Sequence, residues 1–210
     1  NATSYVLNEG IANYAVLKYT TSKSEDWYYV KDSKRNIMTT NTGNKIKVGD
    51  RLIFTNKKFS THSMCIKAAG YAVGAAVQMH TTETSYYSQK WTFIIASGNK
   101  IHITPYDKPT FFIYIHYADG HVDLRGINAN QNGSYWRDWS GGRFEFKYKS
   151  AAGNYTFTSQ EAASKFNASW EGNFVLHVSY YTNDSLPNYQ NVVASYDNGD
   201  TKKIWIIKNG

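Results

Sequence analysis

Period-two alternation dominates the segments "TFFIYIHY" (110–117), "RFEFKYK" (143–149), "NFVLHVSYY" (173–181) and "KKIWIIK" (202–208), and it is strict in "RFEFKYK", where Phe144, Phe146 and Tyr148 alternate with Glu145, Lys147 and Lys149. A chain written at that period cannot gather one apolar face as a helix. It must extend, so that successive side chains fall on opposite sides of a sheet. The same alternation marks Tyr14–Tyr19, Trp27–Lys31, Lys45–Val48, Arg51–Asn56, His62–Lys67, Ala72–His80, Lys90–Ala96, Lys100–Thr104 and Gln190–Tyr196. Asn-Gly, Asp-Gly, Ser-Gly and Gly-Gly pairs stand between these segments, and such pairs tolerate the positive φ that tight turns require. "IASGNKIHI" predicts a short hairpin.

About a dozen short strands with no βαβ spacing predict an all-β fold. The expected architecture is an antiparallel β-sandwich or jelly-roll-like fold, immunoglobulin-like or cupredoxin-like, in which each strand keeps one wet face. One short helix is expected over residues 159–166, where "TSQEAASKF" (158–166) offers a capping box from Thr158 to Glu161. No internal repeat or linker is visible, and residues 1–210 read as a single β-sandwich binding domain. That size also suits the N-terminal part of a longer secreted protein.

Composition narrows the function classes. Six Trp and eighteen Tyr accompany a formal charge of +7, and charged residues make up only 19% of the chain. There is one cysteine, Cys65, so an internal disulfide is excluded and a cysteine-based zinc site is unsupported. In "HSMCIK" that residue reads as a small buried hydrophobe on a strand. Residues 1–60 hold ten Lys/Arg against five Asp/Glu, but the lysines alternate along strands and form no dense block. That reads as a solvated sheet face, and nucleic acid is not an expected partner. No run reaches the roughly 18 apolar residues of a helical membrane span. The start "NATSYVLNEG" reads as that of a processed, exported chain, which places the protein outside the cell or at a bacterial cell surface.

Catalytic signatures are absent: no Gly-x-Ser-x-Gly, no His-Glu-x-x-His and no phosphate-cradling loop. Asp119 with Asp123, or Asp138 with Glu145, are the carboxylate pairs that glycoside hydrolysis would need, yet their mutual facing cannot be read from a linear sequence. The expectation is a protein without catalysis.

The stretch "NQNGSYWRDWSGG" (130–142) places bulky aromatics in a segment rich in turn formers. A sugar ring presents an apolar CH face and a rim of hydroxyls. Trp136 or Trp139 supplies a plane for the face. Gln131, Asn132, Arg137 and Asp138, with Tyr135, supply hydrogen-bonding groups for the rim. Trp91 and Trp205 lie in apolar runs and are assigned to the core, and Trp170 in "NASWEGNF" is a further surface candidate. A second cluster lies in "YIHYADGHVDLRG", where a strand–turn–strand reading brings His116 and His121 together. With His62 or Asp119 as third ligand they form a candidate zinc or copper site.

The processed-looking start "NATSYV", the loop "GSYWRDWSGG" and the closing "KKIWIIKNG" resemble the receptor-binding (lectin) domain of a bacterial chaperone–usher fimbrial tip adhesin. That resemblance implies a lectin for a host glycan or glycoprotein receptor at the fimbrial tip, with pilin subunits as partners through a further C-terminal domain. "KVGDRLIFTNKKFSTHSM" followed by "FFIYIHYADGHVDLRG" also resembles, within residues 45–126, the strand order of cupredoxins. Here the thiolate ligand of that family is missing, and no methionine follows His121 in the loop. Two other functions stay open: a metal-binding extracellular module, and a secreted toxin whose aromatic, basic surface engages lipid.

Overall fold

The computed structural model describes residues 29–66, 70–83, 87–96, 100–116, 119–159, 174–179 and 185–210. These carry fourteen strands: β1 (Leu52–Asn56), β2 (His62–Ile66), β3 (Val77–Thr81), β4 (Trp91–Ile95), β5 (Ile101–Pro105), β6 (Phe111–Ile115), β7 (Val122–Gly126), β8 (Asn130–Gln131), β9 (Ser134–Tyr135), β10 (Phe144–Tyr148), β11 (Asn154–Ser159), β12 (Phe174–Val178), β13 (Val192–Tyr196) and β14 (Trp205–Asn209). Their pairings are antiparallel. Among the described residues the alternating segments from Arg51 onward each supply one of these strands, whereas Lys45–Val48 and the described part of Trp27–Lys31 make only isolated bridges, and Tyr14–Tyr19 lies outside the described residues.

The sandwich does not form. β1 pairs with both β4 and β14, β4 with β5, β5 with β10, β10 with β11, and β11 with β14, so six strands close into a barrel. Closure is the physical reason for the difference, because it leaves those six strands no unpaired edge. It also changes the burial expectation. β1, β5 and β11 are buried on both faces, and no wet side remains on them. Their outward polar groups bond to covering segments: Thr55 Oγ1 meets Ser63 Oγ at 3.1 Å, and Asn56 Nδ2 donates to the Lys202 carbonyl at 2.8 Å.

The barrel interior is a layer of one large side chain per strand. Phe54, Phe93, Ile103, Phe146, Phe157 and Ile207 are each at most 1% exposed. They stand in register as Phe54↔Ile207, Phe93↔Ile103 and Phe146↔Phe157. The four phenyl rings touch in sequence, with centroids 5.4, 5.0, 4.8 and 5.1 Å apart for Phe54–Phe93, Phe54–Phe157, Phe93–Phe146 and Phe146–Phe157. Burial of side chains of this kind stabilises by about 1.5–3 kcal/mol each.

Three structural repeats underlie the barrel, although the sequence shows none. β1–β4, β5–β10 and β11–β14 each run barrel strand, hairpin, barrel strand, with hairpins β2–β3, β6–β7 and β12–β13. Trp91 opens β4 and donates its indole N–H to the Met64 carbonyl in its own hairpin at 2.9 Å. Trp205 opens β14 and does the same to Leu176 at 3.0 Å. Phe144 opens β10 in the middle repeat and has no such donor. Both tryptophans are fully buried, as expected. Cys65 is free and buried on β2, and burial pushes its thiol up to about 12, in keeping with a small hydrophobe.

Thr158, assigned to a helix cap, lies instead in β11, opposite both Glu145 and Val175. The run "NYTFTS" is β-branched and aromatic, and a ladder on each side outweighs the local capping signal. Ser159, the first residue of the expected helix, also belongs to β11, and residues 160–166 and Trp170 lie outside the described residues.

Candidate functional site

Between β7 and β10 the middle repeat carries an insertion, residues 127–143, and this holds the aromatic stretch. β8 and β9 pair as Asn130↔Tyr135 and Gln131↔Ser134 across Asn132-Gly133. Their φ values of 54° and 80° make a two-residue turn with both centres left-handed, the geometry that Asn-Gly favours. Two short 3-10 turns follow, Trp136–Asp138 and Ser140–Gly142.

Period two then sorts the hairpin beneath. Ile113, Ile115, Val122 and Leu124 join the main core. Phe112, Tyr114 and His116 take the opposite face of β6, where Tyr114 sits across from Asp123 and Phe112 across from Arg125 on β7. The insertion lies on that outer face. Ile94, Phe112, Tyr114 and Ile127 form a second small buried cluster, and Trp136 and Trp139 pack against it while staying partly exposed. The two indoles are neighbours, with centroids 4.6 Å apart and planes tilted by 44°. Trp136 meets Tyr114 edge-on at 5.0 Å, and the Arg125 guanidinium lies 4.4 Å from its ring centroid, a cation–π contact.

Asp123, 2% exposed, is the centre of the polar part. Its two oxygens accept from Arg125 Nε at 3.1 Å and Arg125 Nη2 at 2.9 Å. His116 Nε2 stands 3.0 Å from both Asp123 Oδ1 and Arg125 Nη2, so one ring nitrogen is placed between an acceptor and a donor and serves one at a time. His121 Nε2 lies 3.7 Å from Asp123 Oδ2, and the His116 and His121 rings are 5.5 Å apart. The strand–turn–strand expectation for the two histidines therefore holds.

The expected metal set does not assemble. His62 lies on β2 among His80, Leu186 and Asn188, away from His116 and His121. Arg125 already balances the carboxylate that a cation would need. Among the described residues no group of three His, Cys, Asp or Glu is placed to hold a metal ion. Three of the four acids in the candidate carboxylate pairs are likewise engaged, and the fourth, Asp138, is exposed. Asp123 is engaged by Arg125, Asp119 Oδ1 accepts from the His121 amide at 2.9 Å, and Glu145 pairs with Lys100.

Of the loop residues singled out for a ligand, Gln131, Asn132 and Asp138 are exposed and Tyr135, Arg137, Trp136 and Trp139 partly so. Arg137 holds the loop together: its Nη1 donates to the Ile127 carbonyl at 3.1 Å and to Asn128 Oδ1 at 2.9 Å, and its guanidinium sits 4.0 Å from the Tyr135 ring centroid. Sequence reasoning missed Phe112, Tyr114 and Arg125 as supports of the aromatic pair. The signal was present in the alternation of β6 and β7 but needed the pairing partner to be read.

Beneath the loop lies His102, fully buried on β5. Its Nδ1–H donates to the Gly142 carbonyl at 2.7 Å, which fixes the tautomer because a carbonyl only accepts. Burial, opposed in part by that bond, pushes its pKa down to about 4. The imidazole thus folds neutral. As pH falls from about 6.5 towards 4 the unfolded chain gains a proton that the folded one refuses, so stability is lost over that window and is fully present above it. A shift of this size corresponds to about 3 kcal/mol. Chemical denaturation at pH 7.5 and pH 4.5 checks this: the wild type should weaken, and His102→Gln should remove a large part of the difference, the remainder including His62 and His177, whose pKa values burial also lowers.

No protein-family model and no curated protein matches the sequence. Solved structures do match in fold. A mosquitocidal holotoxin superposes with a TM-score of 0.58 at 15% identity, over 84% of this chain and 18% of its own. An exo-β-1,3-galactanase from Clostridium thermocellum gives 0.56 at 15% identity, over 80% and 32%. The Rhizoctonia solani agglutinin gives 0.54 at 14% identity, over 77% and 95%. This chain therefore spans a minor part of the first two and nearly the whole of the third. With its closed six-stranded barrel and three hairpins, it has a β-trefoil-like fold.

Proposed function

We propose that this chain is a carbohydrate-binding module whose ligand lies on the Trp136–Trp139 shelf. The observation that carries the reading is the fixed, partly exposed indole pair backed by Phe112 and Tyr114. A sugar CH face lies on the indoles, and its hydroxyls reach Asp138, Gln131 and Asn132 at the exposed rim, with Tyr135 alongside. Arg137 acts as a positioning residue and not as a sugar contact. The fold supports the reading, since it is shared with an agglutinin and with part of a galactanase. Adhesion through a host glycan or glycoprotein receptor at a cell surface is the cellular form of the proposal. The barrel departs from the sandwich that underlay the fimbrial resemblance, so pilin partners form no part of it.

Trp136→Ala and Trp139→Ala should each lower glycan-array binding about tenfold or more, equivalent to roughly 1.4 kcal/mol, with the thermal melt still cooperative. Unchanged binding in both variants removes the shelf from the account. Sedimentation with glycan-free liposomes, alone in capturing the protein, would favour the toxin reading instead.

A further inference from the structure

A cavity of about 340 Å³ lies between the loop Asp32–Thr39 and the strands β10 and β11, and it shares no residue with the Trp136–Trp139 shelf. The Ser33 amide donates to the Phe146 carbonyl at 2.7 Å and ties the loop to β10. Ile37 and Tyr155 line the cavity, and the Tyr155 hydroxyl accepts from the Thr39 amide at 3.0 Å. Tyr148, 49% exposed, forms an aromatic wall 6.0 Å from the Tyr155 ring. A volume above about 300 Å³ is in the range of small-ligand pockets.

Asp32 gives the cavity its chemistry. It is only 6% exposed. Its Oδ1 accepts from the Lys34 and Asn36 amides, both at 2.9 Å. Its Oδ2 has no hydrogen-bond partner among the described residues, and Asp32 lines the cavity. Because Asp32 lines the cavity, that oxygen offers an acceptor that a ligand hydroxyl can meet. Around it the charge is positive. Lys34 and Lys147 line the same cavity, and an adjoining hollow of about 180 Å³ adds Lys31, Arg35 and Lys100. The one further acid there, Glu145, is engaged by Lys100.

We propose that this cavity binds an acidic saccharide, with sugar hydroxyls donating to Asp32 Oδ2, the ring against Tyr148, and a carboxylate or sulfate substituent meeting Lys34 and Lys147. The site stands independently of the shelf. Screened lysine contacts make its affinity fall with salt, while the Asp32 and Tyr148 contacts persist.

Titration calorimetry with a hyaluronan tetrasaccharide, its carboxyl-reduced counterpart and a heparin tetrasaccharide tests this on the intact chain, the last separating sulfate from carboxylate recognition. At least one acidic tetrasaccharide should bind tenfold or more tighter than the reduced one, with weaker binding at higher salt. Asp32→Asn keeps an acceptor for the two loop amides and should cost fivefold or more, as should Lys147→Ala and Tyr148→Ala at exposed positions, while Trp136→Ala leaves this binding unchanged. Equal affinity for acidic and reduced sugars overturns the proposal. So does unchanged or raised affinity in Asp32→Asn, or equally tight binding of a single-stranded oligonucleotide at the same residues. Loss of array binding in Trp136→Ala without effect here separates the fate of this site from that of the shelf.

Discussion

Trp205→Ala should lower stability by about 3–5 kcal/mol, the usual cost of emptying a large aromatic from a core. The residue is fully buried, pairs across the barrel with both Asn56 and Tyr155, and stacks 6.2 Å from Phe157. Its truncation opens a void at a point where β1 and β11 meet β14, and leaves the Leu176 carbonyl of β12 without its 3.0 Å donor. For a chain of this length the melting temperature should fall by about 10 °C. Trp205→Phe keeps most of the volume and loses only the N–H, so it should recover more than half of the loss. Phe144, which takes the matching place in the middle repeat, already dispenses with that bond. A melting temperature within two degrees of wild type for Trp205→Ala would show that the third hairpin is not coupled to the barrel through this indole.

Gly142→Ala is the second large effect, and it reaches the ligand shelf. A Cβ at this position would lie 2.2 Å from Cε2 and 2.7 Å from Cδ2 of Phe112. Phe112 is fully buried and cannot swing aside, being held against Tyr114 at 6.4 Å and His102 at 4.6 Å. Overpacking of this kind costs about 3 kcal/mol. The strain falls on the loop, because the Gly142 carbonyl is also the acceptor for His102. Displacement of Phe112 shifts Tyr114 and with it Trp136, so the variant should lose glycan binding as well as stability. Near-ultraviolet circular dichroism reads the tryptophan environment directly. A wild-type spectrum and melting temperature would mean that the 127–143 segment is looser than its packing implies.

The strands were largely legible in the sequence, because strand patterning is a local property: period two runs through "FEFKY", and "LIFTN", "FFIYI" and "WIIKN" are short runs rich in apolar, β-branched and aromatic residues. The closure was not. A sandwich and a barrel need the same alternation, and only the long-range pairs β1–β14 and β10–β5 distinguish them. The threefold plan was hidden for a related reason. The positions that correspond on the outer faces of the three hairpins are occupied by chemically unlike residues, such as Cys65, Tyr114 and His177, and only the topology aligns them. In the candidate site, the aromatic loop stood out because bulky residues among Asn, Gly and Ser are locally anomalous. Its buried backing did not, since Phe112 and Tyr114 look like any strand residues until the loop is laid on them. Asp32 was invisible for the opposite reason: "KDSKRN" reads as an ordinary polar turn, and its burial depends on β10 lying beneath it.

The insertion after β7 rests chiefly on its own hairpin, and none of the six interior side chains of the barrel comes from it. Specificity and scaffold are thereby uncoupled. Residues 128–139 can be rewritten or grafted, leaving Phe112 and Gly142 in place, without asking the three-lobed frame to relearn how to fold. Each lobe is then a separate mounting point on which recognition can diversify independently.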